Sequence, residues 1–204
     1  MNLKLTLLRH GQIDANVQGN WHGSTDSALT EFGIRQAKET GRHLSKTLPF
    51  DKVFSSPLQR CMDTAKHAIE KQHLDIKKLP GVAEMSIGEW EGMPYQELHR
   101  DHDFINQCTK DPKYSAPGGE SINDVFDRFH SALESIWSSD VDSKNILIVS
   151  HGAALAIALA GLVDQDVTKW QNYHFTNCSL TELIFDPAPR LGICNSSAHL
   201  TRLG

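Results

Sequence analysis

A regular alternation of short apolar runs with longer amphipathic segments is the sequence feature that most constrains the fold. The run "NILIVS" at 145–150 is apolar on both faces, which is typical of a central strand in a parallel sheet. Predicted strands at 3–8, 52–56, 76–79, 145–150 and 179–185 alternate with predicted helices at 30–48, from Pro57, at 121–137 and from Gly152. This order predicts an α/β fold, a three-layer sandwich with a mostly parallel central sheet and helices on both faces.

Local signals mark the ends of several elements. Thr30 is expected to cap the first long helix, whose apolar spacing continues to Leu48. Ser56 is expected to cap the next helix, with Pro57 at its first position. Ser121 is expected to cap the helix at 121–137, because a carboxylate follows three residues later.

The chain is expected to form one domain over residues 1–204, because its 204 residues contain no repeat, low-complexity tract or linker. The region 86–120 is rich in Gly, Pro, His and charged residues. We expect it to form a small cap, or loop insertion, over the site. The segment 190–194 is expected to pair with the last strand as a hairpin.

Composition narrows the class of partner. The chain has 20 basic and 25 acidic residues, a net charge of -5, which argues against nucleic acid. No apolar run approaches the roughly 18 residues of a membrane span, and "MNLKLTLL" lacks a cleavage site for a signal peptide. The four cysteines have no CxxC spacing and are expected to be reduced thiols. We therefore expect a cytoplasmic protein with no membrane partner. A homodimer is compatible with the sequence.

Charged or titratable side chains follow four predicted strands. Arg9 and His10 follow the first strand, Arg60 the second, Glu84 the third and His151 the fourth. Because ligands of open α/β sheets bind at the carboxyl ends of the strands, these side chains are expected to meet at one site. Two arginines and two histidines suit a phosphate dianion.

Backbone groups are expected to contribute to the same site. Helices that begin at Pro57 and Gly152 would present N–H groups to an anion, and Gly152 would allow close approach of the backbone. His22 lies on the loop expected over the site and is a further candidate. Taken singly, each of these residues has an ordinary structural explanation, such as a solvated strand end or an Arg60–Asp63 ion pair.

The sequence resembles the histidine phosphatase superfamily, the phosphoglycerate-mutase-like proteins, over nearly the whole chain. Six segments carry the resemblance, in the order expected for the family: "LLRHGQ" followed by Asn16, "GSTDSALTEFGIRQA", "SSPLQRCMDTA", "EMSIGEWEGM", "PGGES" and "ILIVSHG". One such motif is weak, whereas six in order are specific.

The resemblance implies a role for each core residue. His10 would be the nucleophile that accepts the phosphoryl group, and Glu84 would donate a proton to the leaving group. Arg9, Arg60 and His151 would bind the phosphate oxygens, and Asn16 would sit at the edge of the phosphate pocket.

Departures from the family pattern leave the substrate preference open. Gln12 and Ile13 follow the first motif where the family often has Glu and then Ser or Thr. Ala28 replaces a common proline, and "GNWHG", with Asn20 and His22, replaces a Gly-Arg-x-Gln-Gly stretch.

The eleven histidines have no spacing typical of a metal site, so we expect neither a metal nor a cofactor. Apart from His22 and the two site histidines, they are interpreted as surface or packing residues: His43, His67, His73, His99, His102, His130, His174 and His199.

Three functions are compatible with this site: hydrolysis of a phosphomonoester, phosphoglycerate mutase activity and binding of a phosphorylated ligand without catalysis. The last is disfavoured because all core residues are present. Only 33 residues separate Glu84 from Gly118, whereas the mutases that the chain resembles carry a longer insertion there. A short cap over the site favours transfer of the phosphoryl group to water, which is hydrolysis, over the mutase reaction. We therefore predict a phosphatase acting on a small phosphorylated metabolite, nearest in pattern to broad-specificity and α-ribazole-phosphate phosphatases.

Overall fold

A six-stranded sheet forms the centre of the fold in the computed structural model, which describes residues 3–47, 49–139, 144–186 and 188–203. The strands are β1 (Leu3–Arg9), β2 (Lys52–Ser55), β3 (Ile76–Lys78), β4 (Asn145–Ser150), β5 (Leu180–Phe185) and β6 (Pro189–Leu191). Their order is β3-β2-β4-β1-β5-β6. The first four of these are mutually parallel, and β5 and β6 add an antiparallel edge. The α/β prediction and the hairpin are confirmed.

The α-helices lie along both faces of this sheet. They are α1 (Asp14–Gln18), α2 (Glu31–Leu44), α3 (Gln59–Ile69), α4 (Tyr95–Arg100), α5 (Phe104–Lys110), α6 (Ile122–Ser139) and α7 (Gly152–Val163). Two separate apolar clusters result, one built with α2 and α3 and the other with α6 and α7.

Strand β4 shows why the sheet is covered on both sides. Ile146 and Ile148 belong to the cluster of α6 and α7, whereas Leu147 and Val149 belong to the cluster of α2 and α3. All four side chains are buried. Alternate residues of a strand point to opposite faces, so a continuously apolar strand requires helices on both faces.

Most helix ends lie where the sequence predicts them. Thr30 caps α2, because its Oγ1 accepts a hydrogen bond from the N–H of Gly33 at 3.0 Å. Ser121 caps α6, because its Oγ accepts from the N–H of Asp124 at 3.2 Å. Helix α2 ends at Leu44, and Leu48 lies outside the described residues.

The predicted start of α3 is wrong by two residues. The helix begins at Gln59, with Leu58 as its N-cap in an extended conformation (φ -66°, ψ 139°). Ser56 is not the N-cap, although its Oγ accepts a hydrogen bond from the N–H of Leu58 at 3.4 Å; the same Oγ lies 2.8 Å from Nε2 of His151.

The region 86–120 contains α4, α5 and a short 3-10 helix at Gly88–Trp90. Leu98, Phe104 and Cys108 are buried in the cluster of α6 and α7, so this region packs as part of the main core. All four cysteines are free thiols, as expected. Within the described ranges, no helix is long and apolar enough to cross a membrane.

Candidate active site

A cavity of about 330 Å³ opens at the carboxyl ends of the parallel strands. Its lining includes six of the residues that the sequence singles out, namely Arg9, His10, Asn16, His22, Glu84 and Gly152. Arg60 and His151 lie beneath this lining and have no exposed surface. The chain therefore brings all eight candidates to one end of the sheet, with two of them in a buried layer.

His10 is a buried, neutral imidazole. Its Nδ1 lies 2.7 Å from the carbonyl oxygen of Gly11, which can only accept, so Nδ1 carries the proton and Nε2 keeps its lone pair. Burial, followed by the charges of Arg9 and Arg60, holds the pKa of His10 well below its ordinary value. A neutral imidazole with a free ring nitrogen is a competent nucleophile toward phosphorus.

Arg9 presents an unpaired donor in the site. It is the last residue of β1, and its Nη1 donates to the carbonyl oxygen of Phe175. Its Nε is buried and has no hydrogen-bond partner among the described residues. Since a buried unpaired donor is costly, this guanidinium is suited to an anion that supplies the missing acceptor.

Arg60 supports the loop over the site from below. Its Nη1 donates to the carbonyl oxygen of Thr25 at 2.7 Å, and its Nη2 donates to those of Gly23 at 2.7 Å and His22 at 3.2 Å. The alternative ion pair with Asp63 does not form, because Lys66 is the partner of Asp63, at 2.8 Å.

His151 bridges Arg60 and Ser56. Its Nδ1 accepts a hydrogen bond from Nε of Arg60 at 3.1 Å, so its Nε2 carries the proton that faces Ser56 Oγ at 2.8 Å. Burial, followed by the charge of Arg60, lowers the pKa of His151 well below its ordinary value. Its ring meets that of His10 edge-on, with 5.2 Å between the centroids.

Glu84 occupies the N-terminus of α7. Its Oε1 accepts from the N–H of Ala154 at 2.8 Å and of Met85 at 2.9 Å, and its Oε2 accepts from the N–H of Ala153 at 3.2 Å. The N–H groups of Ala153 and Ala154 are therefore bound to Glu84, and the expected contribution of Gly152 to phosphate binding stays a prediction. The N-terminus of this helix holds the side chain of Glu84, whose carboxylate form the helix dipole favours.

Arg128 and Glu120 hold the loop that carries Glu84. Arg128 donates to the carbonyl oxygens of Gly81 and Ala83, each at 2.8 Å, and of Glu84 at 3.0 Å. Its Nε donates to Glu120 Oε1 at 2.7 Å, and Glu120 Oε2 accepts from the N–H of Ser86 at 2.9 Å. We call this pair the Glu84 clamp.

Asn177 is a site residue that the sequence did not indicate. Its Nδ2 donates to the carbonyl oxygen of His10 at 3.1 Å and to Oδ1 of Asn16 at 3.0 Å. Asn16 is thereby linked to the backbone of His10. Asn177 belongs to no motif, and its position depends on how the segment before β5 crosses the end of β1.

Of the two glycines that follow the site histidines, Gly11 is required for a close approach and Gly152 is not. A Cβ on Gly11 would lie 2.7 Å from the carbonyl oxygen of Gly33, so only glycine lets the loop after β1 contact α2. A Cβ on Gly152 would lie 3.5 Å from the Arg9 guanidinium, an ordinary contact.

Aromatic side chains from three separate segments form much of the remaining wall. The cavity is lined additionally by Ile13, Asn20, Trp21, Tyr95, Ile105, Ala153, Ala156, Trp170, Gln171, Tyr173, His174 and Phe175. His174 is exposed, as expected of a surface residue, and it also lines the cavity. The aromatic run "KWQNYHF" at 169–175 is the signal that could have indicated this wall.

Positive charge in the site comes from Arg9 and Arg60. Among the residues that the structure describes, no group of three His, Cys, Asp or Glu side chains could hold a metal ion.

The open α/β sheet and the paired histidines and arginines at its carboxyl edge define a class of phosphate-handling proteins. The chain belongs to branch 1 of the histidine phosphatase superfamily, whose family model matches residues 5–190. The resemblance seen in the sequence is confirmed.

Several relatives are phosphatases. The chain is 31% identical over 196 residues to the uncharacterized phosphatase PhoE of Bacillus subtilis, covering 96% of this chain and 95% of that protein. It is 34% identical over 166 residues to the adenosylcobalamin/alpha-ribazole phosphatase of Salmonella typhimurium, covering 79% and 80%. The solved mycobacterial glucosyl-3-phosphoglycerate phosphatase superposes with a TM-score of 0.87 at 27% identity, covering 97% and 100%. The chain spans only 55% of the length of a bifunctional protein of Mycobacterium tuberculosis, to which it is 30% identical.

Proposed function

We propose that this protein is a phosphomonoesterase that hydrolyses a small phosphorylated metabolite through a phosphohistidine on His10. The observation that carries the proposal is the neutral His10 imidazole, which keeps the lone pair on Nε2 and lines the cavity together with Arg9, whose Nε has no partner among the described residues. The likeness to relatives named as phosphatases supports it.

In the first step, Nε2 of His10 attacks phosphorus and the bond to the ester oxygen breaks. Arg9 binds the phosphoryl oxygens, and the buried charge of Arg60 stabilises the anion through space. Glu84, in its acid form, gives its proton to the leaving oxygen. We assign that proton to Oε2, because this oxygen accepts one hydrogen bond, at 3.2 Å, whereas Oε1 accepts two shorter ones.

In the second step, water attacks the phosphohistidine. Glu84, now a carboxylate, takes a proton from that water, the P–N bond breaks, and inorganic phosphate leaves with His10 restored. Within this proposal, His151 and Asn16 act by positioning. His151 packs against the His10 ring, and Asn16 is tied to the His10 carbonyl through Asn177.

A mutase on the same site would pass the phosphoryl group to a second alcohol. The short segment between Glu84 and Gly118 favours water instead. With 3-phosphoglycerate and a bisphosphoglycerate primer, we expect isomerisation to be slower than phosphate release from a good monoester. Isomerisation faster than phosphate release would contradict the phosphatase proposal and favour the mutase.

Rapid quenching with ³²P-labelled substrate tests the intermediate. We expect an acid-labile, alkali-stable phosphoenzyme in the natural protein and in His99→Ala, a matched change at an exposed histidine, and none in His10→Ala. A His10→Ala protein that keeps most of its activity would falsify the assignment, and absence of turnover with every monoester would favour a binding protein.

A further inference from the structure

One side of the cavity is aromatic. Trp21, Trp170 and Phe175 line it while exposing only 5%, 5% and 6% of their surfaces, so they are rigidly held. Tyr95, which is 46% exposed, stacks on Trp21 with 5.2 Å between the ring centroids and 25° between the planes. Ile105 extends this apolar surface. Rigid aromatic walls of this kind favour flat ligands.

The charge of the cavity is concentrated at one end. Among the described residues that line it, Arg9 is the only arginine or lysine and Glu84 the only acidic residue. Arg9 lies beside His10, where the phosphoryl group reacts. A carboxylate on the leaving group would therefore find no second cation, would face Glu84, and would lose water without compensation.

The size of the cavity limits the leaving group. Its volume of about 330 Å³ is near the lower end of the range of about 300–1,000 Å³ for small-molecule sites. It suits a phosphate with one compact ring system and not a long chain.

We propose that the substrate is the phosphomonoester of an uncharged alcohol that carries an aromatic or heteroaromatic ring, and that the ring packs against the wall formed by Tyr95, Trp21 and Trp170. This inference rests on the proposed phosphatase function. It excludes, as preferred substrates, phosphomonoesters whose leaving alcohol carries a carboxylate, such as glycerate.

Two matched substrate pairs separate the effect of the ring from that of charge. Glycerol 3-phosphate and 3-phosphoglycerate differ in the carboxylate, whereas ethyl phosphate and 2-phenylethyl phosphate differ in the ring. We expect kcat/KM to fall about tenfold with the carboxylate and to rise about tenfold with the ring. Equal kcat/KM values for 3-phosphoglycerate and glycerol 3-phosphate would overturn the inference. A kcat/KM for 2-phenylethyl phosphate no higher than that for ethyl phosphate would overturn it as well.

Two variants locate the effect in this wall. Tyr95→Ala should raise KM for 2-phenylethyl phosphate about three- to tenfold more than it raises KM for ethyl phosphate. The matched control Val17→Ala, at a side chain that is 67% exposed, should change neither. Gln171→Arg places a cation in the lining and should improve kcat/KM for 3-phosphoglycerate about tenfold relative to kcat/KM for glycerol 3-phosphate.

The outcomes distinguish this inference from the function on which it rests. Phosphate release from all four esters without the expected ranking would leave the phosphatase in place and discard the substrate class. If Tyr95→Ala impairs turnover of ethyl phosphate as much as that of 2-phenylethyl phosphate, Tyr95 does not recognise the ring. That result would overturn the inference. No phosphate release from any ester would discard the phosphatase itself.

Discussion

The Nε atom of Arg60 donates a hydrogen bond to Nδ1 of His151 across 3.1 Å, and neither side chain is exposed to solvent. Because arginine can only donate, this contact sets the tautomer of His151 and directs its Nε2 proton to Ser56. The same guanidinium holds the carbonyl groups of His22, Gly23 and Thr25. Arg60 thus joins the layer below His10 to the loop above it.

Replacing Arg60 should therefore destabilise the whole fold. Arg60→Met leaves three carbonyl groups and His151 without their donor, and we expect the free energy of unfolding to fall by about 3 kcal/mol. The matched control is Arg35→Met on the exposed side of α2. Urea denaturation measures the free energy of unfolding of both variants. Equal losses would show that the buried contacts of Arg60 do not stabilise the fold.

The buried histidines should make stability depend on pH. The folded-state pKa values of His10 and His151 lie well below the ordinary value, chiefly because of burial. Below about pH 6.5 the unfolded chain binds protons that the folded chain does not, so the free energy of unfolding falls as the pH is lowered from 7 to 5. Each fully neutral histidine contributes up to about 1.4 kcal/mol per pH unit.

Urea denaturation at pH 7, 6 and 5 tests this direction. His10→Asn should reduce the slope, whereas the control His99→Asn, at an exposed position, should not. Part of the slope should remain in both variants, because burial also lowers the pKa of His199, to about 4. Stability that is unchanged or higher at pH 5 would contradict the prediction.

The proposed acid role of Glu84 predicts a dependence on the leaving group. Glu84→Gln should slow phosphorylation of His10 by about 10²–10⁴-fold with an alkyl phosphate, whose alkoxide needs a proton. The loss should be much smaller with p-nitrophenyl phosphate, whose phenolate leaves without help. Single-turnover rates are compared, because breakdown of the phosphoenzyme also uses this residue. Equal losses with both substrates would indicate a structural Glu84.

The Glu84 clamp should affect the same step from a distance. Arg128→Met and Glu120→Gln should lower kcat about tenfold or more with little change in KM, because they free the loop that aims the carboxyl group. The loss should again be larger with an alkyl phosphate than with p-nitrophenyl phosphate, a pattern that general destabilisation would not produce. Since the two residues act as one unit, the double variant should lose less than the product of the single losses. Losses that do not depend on the leaving group would assign the pair to the fold alone.

Activity should survive removal of divalent metal ions. Arg9 and Arg60 supply the positive charge that a phosphoryl group requires, so exhaustive chelation should leave kcat/KM unchanged. The measurement is phosphate release before and after dialysis against a chelator. A loss that Mg²⁺ or Zn²⁺ restores would contradict the prediction and point to a metal role.

The sequence alone determined the order of elements and the edge at which the site forms. Strand β4 was recognisable because its continuous apolar run requires two covered faces, and α2 and α6 because their apolar spacing and caps are local. Arg9, His10, Glu84 and His151 followed from chain order, since residues that come after parallel strands lie at one edge.

Only the tertiary structure decided which groups bind one another. At the N-terminus of α7 the N–H groups of Ala153 and Ala154 bind Glu84, and the hydroxyl group of Ser56 faces His151. The partners Asn177 and Asn16 are 161 residues apart in the chain. Helix and strand periodicity is local, whereas these choices depend on the distance and direction between side chains that packing alone brings together.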